Sequence, residues 1–182
     1  MDVPEVHEPR ELLPAASPDE LLDRLIDRYA EGLLAYVRRF TDSWHDAEDV
    51  VQSALLKAHM AAQRGTPLAS EKAWIFTLAR NEMLNHLERR KTAQRHRGAL
   101  LRESAAPADP PEASFDALHR EIERLPPATK EALALKYFHG LSVDETAEVL
   151  KVSPGTIKQL VFRALQTLRT RLGPGPWEDQ RP

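Results

Sequence analysis

The stretch GLSVDETAEVLKVSPGTIKQLVFRALQTL, residues 140–168, decides how the C-terminal part of this chain folds. Ser142 and Glu145 stand in the S-x-x-E spacing of a capping box, where each side chain satisfies the other residue's orphan backbone N–H. A short helix is therefore predicted to start there and to end near Leu150. Ala147 is small where a second helix has to pass close by. Val152 is expected to plug the turn, Ser153 to cap the second helix, and Pro154 suits its first position. Ile157, Leu160, Val161, Ala164 and Leu168 then recur at helical spacing, which gives the second helix one buried face. Two helices joined by so short a turn form a helix-turn-helix, whose second helix can enter the DNA major groove. Capping, turn chemistry and periodicity agree, and that agreement favours this reading over a plain helical hairpin.

Upstream, Gly140 is placed to end the preceding helix in a left-handed cap. That helix is predicted from Ala132, Leu133, Leu135, Tyr137 and Phe138, after a break at Pro126-Pro127. Another is predicted from Phe115, Leu118, Ile122 and Leu125. Before it the apolar pattern is lost in SAAPADPPEAS, a proline-rich tether. Nearer the N-terminus, Ser17-Pro18-Asp19-Glu20 is a second capping box. Leu21, Leu22, Leu25, Ile26, Tyr29, Leu33, Val37 and Phe40 follow it with a helical period. A second helix carries Ala47, Val50, Val51, Ala54, Leu55 and Ala58 inward. A third carries Trp74, Ile75, Leu78, Ala79, Met83 and Leu87, and a Gly/Pro/Ser loop at 64–70 separates the two. No alternating strand pattern occurs. The expectation is an all-α chain of two small helical domains, at 17–95 and 114–173, joined by a flexible Pro-rich linker at 96–113. Residues 1–16 and the tail 174–182 are expected to be irregular.

Composition narrows the function. A mean hydropathy of -0.48 and the lack of an apolar run near the roughly 18 residues of a membrane span predict no membrane insertion. The acidic N-terminus lacks the basic and apolar regions of a secretory signal. With no cysteine there is neither a disulfide framework nor a thiolate metal site, which fits a reducing cytoplasm. The seven histidines are scattered without metal-ligand spacing, and no phosphate loop or nucleophile elbow is present. No catalytic residue, metal or cofactor is therefore expected, and the chain does not read as an enzyme.

The net charge of -3 is less telling than its distribution. Residues 41–50 hold Asp42, Asp46, Glu48 and Asp49 without a Lys or Arg. Residues 89–97 hold Arg89, Arg90, Lys91, Arg95 and Arg97 without an acid. Residues 149–177 hold Lys151, Lys158, Arg163, Arg169 and Arg171, again without an acid. One acidic and two basic blocks point to two kinds of partner.

With these residues in place, the chain resembles the extracytoplasmic-function sigma factors, the smallest class of bacterial RNA polymerase sigma subunits. The resemblance runs from about residue 21 to 172. It rests on DAEDVVQSALLKAH at 46–59, AWIFTLARNEMLNHLERR at 73–90 and LPPATKEALALKYFHGLSVDETAEVL at 125–150, in that order around the proline-rich linker. It implies that 17–95 is sigma domain 2 and 114–173 is sigma domain 4. It also implies a subunit that binds core polymerase, directs it to promoters and helps to open them, with an anti-sigma factor as inhibitor and a cytoplasmic monomer as the free form. The readings set beside it are a sigma-like mimic that binds partners without driving transcription, and a one-component helix-turn-helix regulator.

The resemblance also assigns the charge blocks. Asp46, Glu48, Asp49 and Gln52 match the helix that docks on the polymerase clamp coiled coil, where an acidic face suits basic side chains of another helix. Asn81, Asn85, Arg89, Arg90 and Lys91 match the part that takes the opened -10 element, amides for bases and cations for phosphates. Ser153, Thr156, Lys158, Gln159 and Arg163 match the reader of the -35 element, beside Gly155, Phe162 and Gln166 on the same predicted face. The chain departs from the family in three places. Lys151 stands where a turn glycine is usual, Gln159-Leu160 stands for a Ser-Arg pair, and Asn85 stands where Asp is common.

Overall fold

Ser17 accepts a hydrogen bond from the Glu20 N–H, and the Glu20 carboxylate accepts one from the Ser17 N–H; helix α1 (Pro18–Arg38) starts at this box. The two bonds occupy donors that the first turn would otherwise leave open, worth about 1 kcal/mol. The fold is that of a computed structural model, which describes residues 17–65, 69–96 and 113–173. The expectations for residues 1–16, most of the linker and the tail lie outside the described residues. Helices α2 (Trp44–Ala62) and α3 (Glu71–His96) complete the N-terminal unit. The C-terminal unit contains α4 (Ala113–Glu123), α5 (Pro127–Leu133), a π-helical segment at Ala134–Phe138, α6 (Val143–Leu150) and α7 (Pro154–Leu172). Among the described residues there is no strand.

In the N-terminal unit the apolar stripes of α1 and α2 meet each other and α3. Leu21, Leu25, Leu33, Val37, Val50, Val51 and Ala54 are buried there, each large side chain contributing about 1.5–3 kcal/mol. Ile26, predicted inward, is 42% exposed. Tyr36 and Phe76, outside the predicted stripes, are almost fully buried. Both face the C-terminal unit. Tyr36 makes edge contacts with Phe76 and with His139, at centroid separations of 5.6 and 5.8 Å.

The helix-turn-helix forms as its capping chemistry dictates. Ser142 and Glu145 make the box that opens α6, and Ser153 accepts from the Thr156 N–H at the start of α7. Lys151 closes α6 in the left-handed region, with φ 56° and ψ 45°. The Lys151 N–H bonds to the Glu148 carbonyl at 3.2 Å and the Val152 N–H to that of Ala147 at 3.0 Å. These backbone bonds seal the turn, and Val152, expected to plug it, is 39% exposed. Gly140, with φ 62°, ends the π-helical segment as expected of a left-handed cap. Ile157, Val161, Ala164 and Leu168 are buried, and Leu160 is half-buried.

The two units are not separate bodies in this structure. One apolar cluster runs from Leu25, Phe76 and Met83 through Ala132 and Leu135 to Val149, Ile157 and Val161. A smaller cluster of Ile122, Leu125, Leu133, Ala164 and Leu168 holds α4 against α5 and α7.

Candidate functional site

Helix α2 begins at Ser43, whose hydroxyl accepts the Asp46 N–H at 3.0 Å, and this cap fixes the register of the acidic block. Asp49 and Gln52 are exposed, and Glu48 is half-buried. Asp46 is not free. Arg90 reaches its carboxylate at 3.3 Å and Asp42 at 2.6 Å, and His86 Nε2 lies 3.5 Å from its other oxygen. The acidic start of α2 and the basic end of α3 thus neutralise one another in part. That leaves Asp49 and Gln52 as the outward members of the acidic set, on a surface continued by Leu56, 61% exposed, and Met60.

Along α3, Asn85 is exposed and its amide donates to Glu82 at 3.4 Å, while Asn81 is half-buried. Arg89 and Lys91 are exposed, and Asn85, Glu88, Arg89, Thr92 and Ala93 line a shallow groove. Arg90 points away to the Asp42–Asp46 pair, so the five residues expected on one strand-capturing face divide. Trp74 packs on the apolar core.

On α7 the burial of Ile157, Val161, Ala164 and Leu168 turns the other side to solvent. Thr156, Lys158, Gln159, Phe162, Arg163 and Gln166 are all exposed there, with Ser153 at the cap. Phe162 is 61% exposed and Leu165 47%, so the cationic face has an apolar centre. A second shallow groove runs between Arg163, Gln166, Thr167, Thr170 and Arg171.

Several polar residues absent from the predicted set meet between the units. The Glu131 carboxylate, buried, accepts the Tyr36 hydroxyl at 2.6 Å and two Arg80 guanidinium bonds at 2.8 and 3.3 Å. Burial, reinforced by the adjacent Glu131 charge, raises the Tyr36 pKa far above its ordinary value. Ser70 donates to Glu145 at 2.6 Å, and Lys72 donates to the Gly140 carbonyl at 3.0 Å. Burial works against the Glu145 charge, but the hydrogen bonds from Ser70 and Ser142 outweigh it and hold the carboxyl below the usual range. A single signal in the sequence marks this place: Glu131 is a lone acid within the apolar run that follows Pro127.

Among the described residues no group of acids and histidines is arranged to hold a metal, and no helix is long and apolar enough to cross a membrane. Residues 25–93 match the family described as sigma-70 region 2, and residues 115–168 match sigma-70 region 4. The RNA polymerase sigma-H factor of Pseudomonas aeruginosa is 28% identical over 169 residues, covering 84% of this chain and 86% of that protein. The ECF RNA polymerase sigma factor SigL of Mycobacterium tuberculosis is 30% identical over 165 residues, covering 87% and 92%. The chain belongs to the extracytoplasmic-function sigma factors. Among solved structures, the sigma factor RpoE of Bartonella quintana, in complex with the anti-sigma factor NepR, superposes with a TM-score of 0.64 at 27% identity, covering 82% of this chain and 95% of that one. As a sigma factor the protein is a transcription initiation subunit, which binds core RNA polymerase and directs it to promoters. The helix-turn-helix lies in its region 4.

Proposed function

We propose that this sigma factor divides its work among three surfaces. The outward stripe of α2, with Asp49 and Gln52 beside Leu56 and supported by Glu48, docks on the polymerase clamp coiled coil. Asn81, Asn85, Arg89 and Lys91 on α3 take the opened -10 strand, with amides for base edges and cations for phosphates. Asp46 and Arg90 act by fixing α2 against α3, since each already holds the other's charge. Ser153, Thr156, Lys158, Gln159 and Arg163 read or anchor the -35 duplex from the major groove. In this reading residues 17–95 form sigma domain 2 and residues 114–173 sigma domain 4, and the subunit is a cytoplasmic monomer until it joins polymerase. An anti-sigma factor would hold it in reserve, as NepR is found with the related RpoE.

The observation that carries this reading is the separation of charge between helices. Acids project from α2, whereas the exposed face of α7 carries cations and amides without a carboxylate. Carboxylates facing DNA would repel phosphate, so the acidic surface suits a protein partner. Asp49→Arg tests it, because a like-charge contact across a docked interface costs on the order of several kcal/mol. Association with core polymerase should fall at least about tenfold, and run-off transcription from a promoter mapped after induced expression should fall with it. Unchanged association would remove α2 from the polymerase interface.

A further inference from the structure

Glu82 is a buried carboxylate on α3 to which the proposed function gives no task. It follows Asn81 directly and precedes Asn85 by about one helical turn. Lys57, on the helix given to polymerase, donates to its Oε1, and the Asn85 amide donates to the same oxygen at 3.4 Å. Asn85 in turn lines the shallow groove of α3 with Arg89 and Thr92. A buried carboxylate is costly without a partner. The Lys57 ammonium meets that need, so the contact with Asn85 is additional to it.

That contact sets which end of the amide faces the groove. An asparagine amide has an acceptor end, Oδ1, and a donor end, Nδ2, and a free one offers either by turning about its last torsion. A carboxylate has acceptors only, so it takes the Nδ2 end and repels Oδ1. A hydrogen bond to a charged group favours that orientation about tenfold. The end left to the groove is Oδ1, an acceptor. On an unpaired base, adenine and cytosine present an exocyclic amine where guanine and thymine present an exocyclic oxygen. An acceptor held in place attracts the first two and repels the others. We propose that Glu82 is a positioning residue for promoter reading, which fixes the Asn85 amide with Oδ1 toward the opened strand and so selects adenine or cytosine at one position of the -10 element. This rests on the assignment of Asn85 to that strand.

The test is run-off transcription by holoenzyme reconstituted with the full chain, on templates carrying each base in turn at every -10 position of a mapped promoter. At one position the adenine template, the cytosine template or both should initiate about tenfold better than the guanine and thymine templates. Glu82→Gln, whose side chain both donates and accepts, frees the amide. The preference there should fall to within about twofold, with core association unchanged. Adding Asn85→Asp to Glu82→Gln exchanges donor and acceptor, keeps the charge of the pair and again turns an acceptor outward, so the preference should return. A role confined to stability predicts no such return. Asn85→Asp alone, at an exposed position, should keep the preference at a uniformly lower yield, and it tests the outward acceptor if Glu82→Gln does not fold. A preference that survives Glu82→Gln, stays lost in the double variant or disappears in Asn85→Asp alone would overturn the positioning role. If Asn85→Ala alters the preference at no -10 position, the assignment of Asn85 to the strand fails, and the positioning role with it.

Discussion

Lys151 takes a backbone conformation that glycine reaches at no steric cost. Its φ of 56° places Cβ against the following carbonyl, a strain of roughly 1–2 kcal/mol for an ordinary side chain. The turn holds regardless, because two backbone hydrogen bonds close α6 around it and its exposed side chain makes no demand on the core. Lys151→Gly relieves the strain, while a more flexible unfolded chain takes back about 0.4–1 kcal/mol. The expected net gain is about 0.5–1 kcal/mol, read as a higher urea midpoint at constant slope. A lower midpoint would mean that the lysine makes stabilising contacts that outweigh its backbone strain. Glu131 is the opposite case: a costly residue made tolerable by its partners. Removing its charge leaves Arg80 half-buried beside a neutral amide, which is why its replacement acts on the packing of the two domains and not on one helix alone.

At the scale of elements, α7 and α3 show what a helical wheel can and cannot tell. Helix α7 has one buried side, so the spacing of Ile157, Val161, Ala164 and Leu168 in the sequence suffices to place Lys158, Gln159 and Arg163 in solvent. On helix α3 the stripe of Ile75, Ala79 and Met83 is buried as its spacing predicts, and Phe76, seven residues before Met83, widens that stripe toward Tyr36 and His139. That contact was illegible because the residues Phe76 meets lie on α1 and beyond the linker, and periodicity within one helix carries no record of a distant partner. The charge blocks failed for the same reason. Asp46 and Arg90 are 44 residues apart, and read singly each looked free, whereas together they form an ion pair. Lys158 and Arg163 of α7 are exposed, and Arg163 sets a prediction for that element. Arg163→Ala should weaken binding of a -35 duplex by about 1–3 kcal/mol if Arg163 pairs with a base, with the loss confined to the cognate sequence. If it serves a phosphate, binding weakens evenly across sequences and the slope of log affinity against log salt becomes shallower by about 0.9. Titrations of cognate and scrambled duplexes at several salt concentrations distinguish these outcomes, and no change in either would take Arg163 off the DNA.

Across the whole molecule, one core continuous through both domains makes their separation a change in solvation as well as in contacts, and His139 lies in the middle of it. Tyr36 from α1 and Phe76 from α3 pack on its ring, Gly32 leaves space beside it, and its Nε2 is buried without a hydrogen-bond partner. Burial, followed by the nearby charges of Arg39 and Lys72, pushes its pKa down to about 4. In the open chain the ring regains solvent and an ordinary value near 6.5. Between those two values the open form binds the extra proton, so acidification favours opening; the closed form keeps its full advantage above about pH 6.5 and loses it progressively toward about pH 4. The radius of gyration of the free chain should therefore rise as the pH is taken from 7.5 to 5.5, the range in which His139 contributes. His139→Gln, which cannot take up the proton, should flatten that response. An equally steep response in His139→Gln would show that some other group, and not the imidazole at the seam, senses the proton.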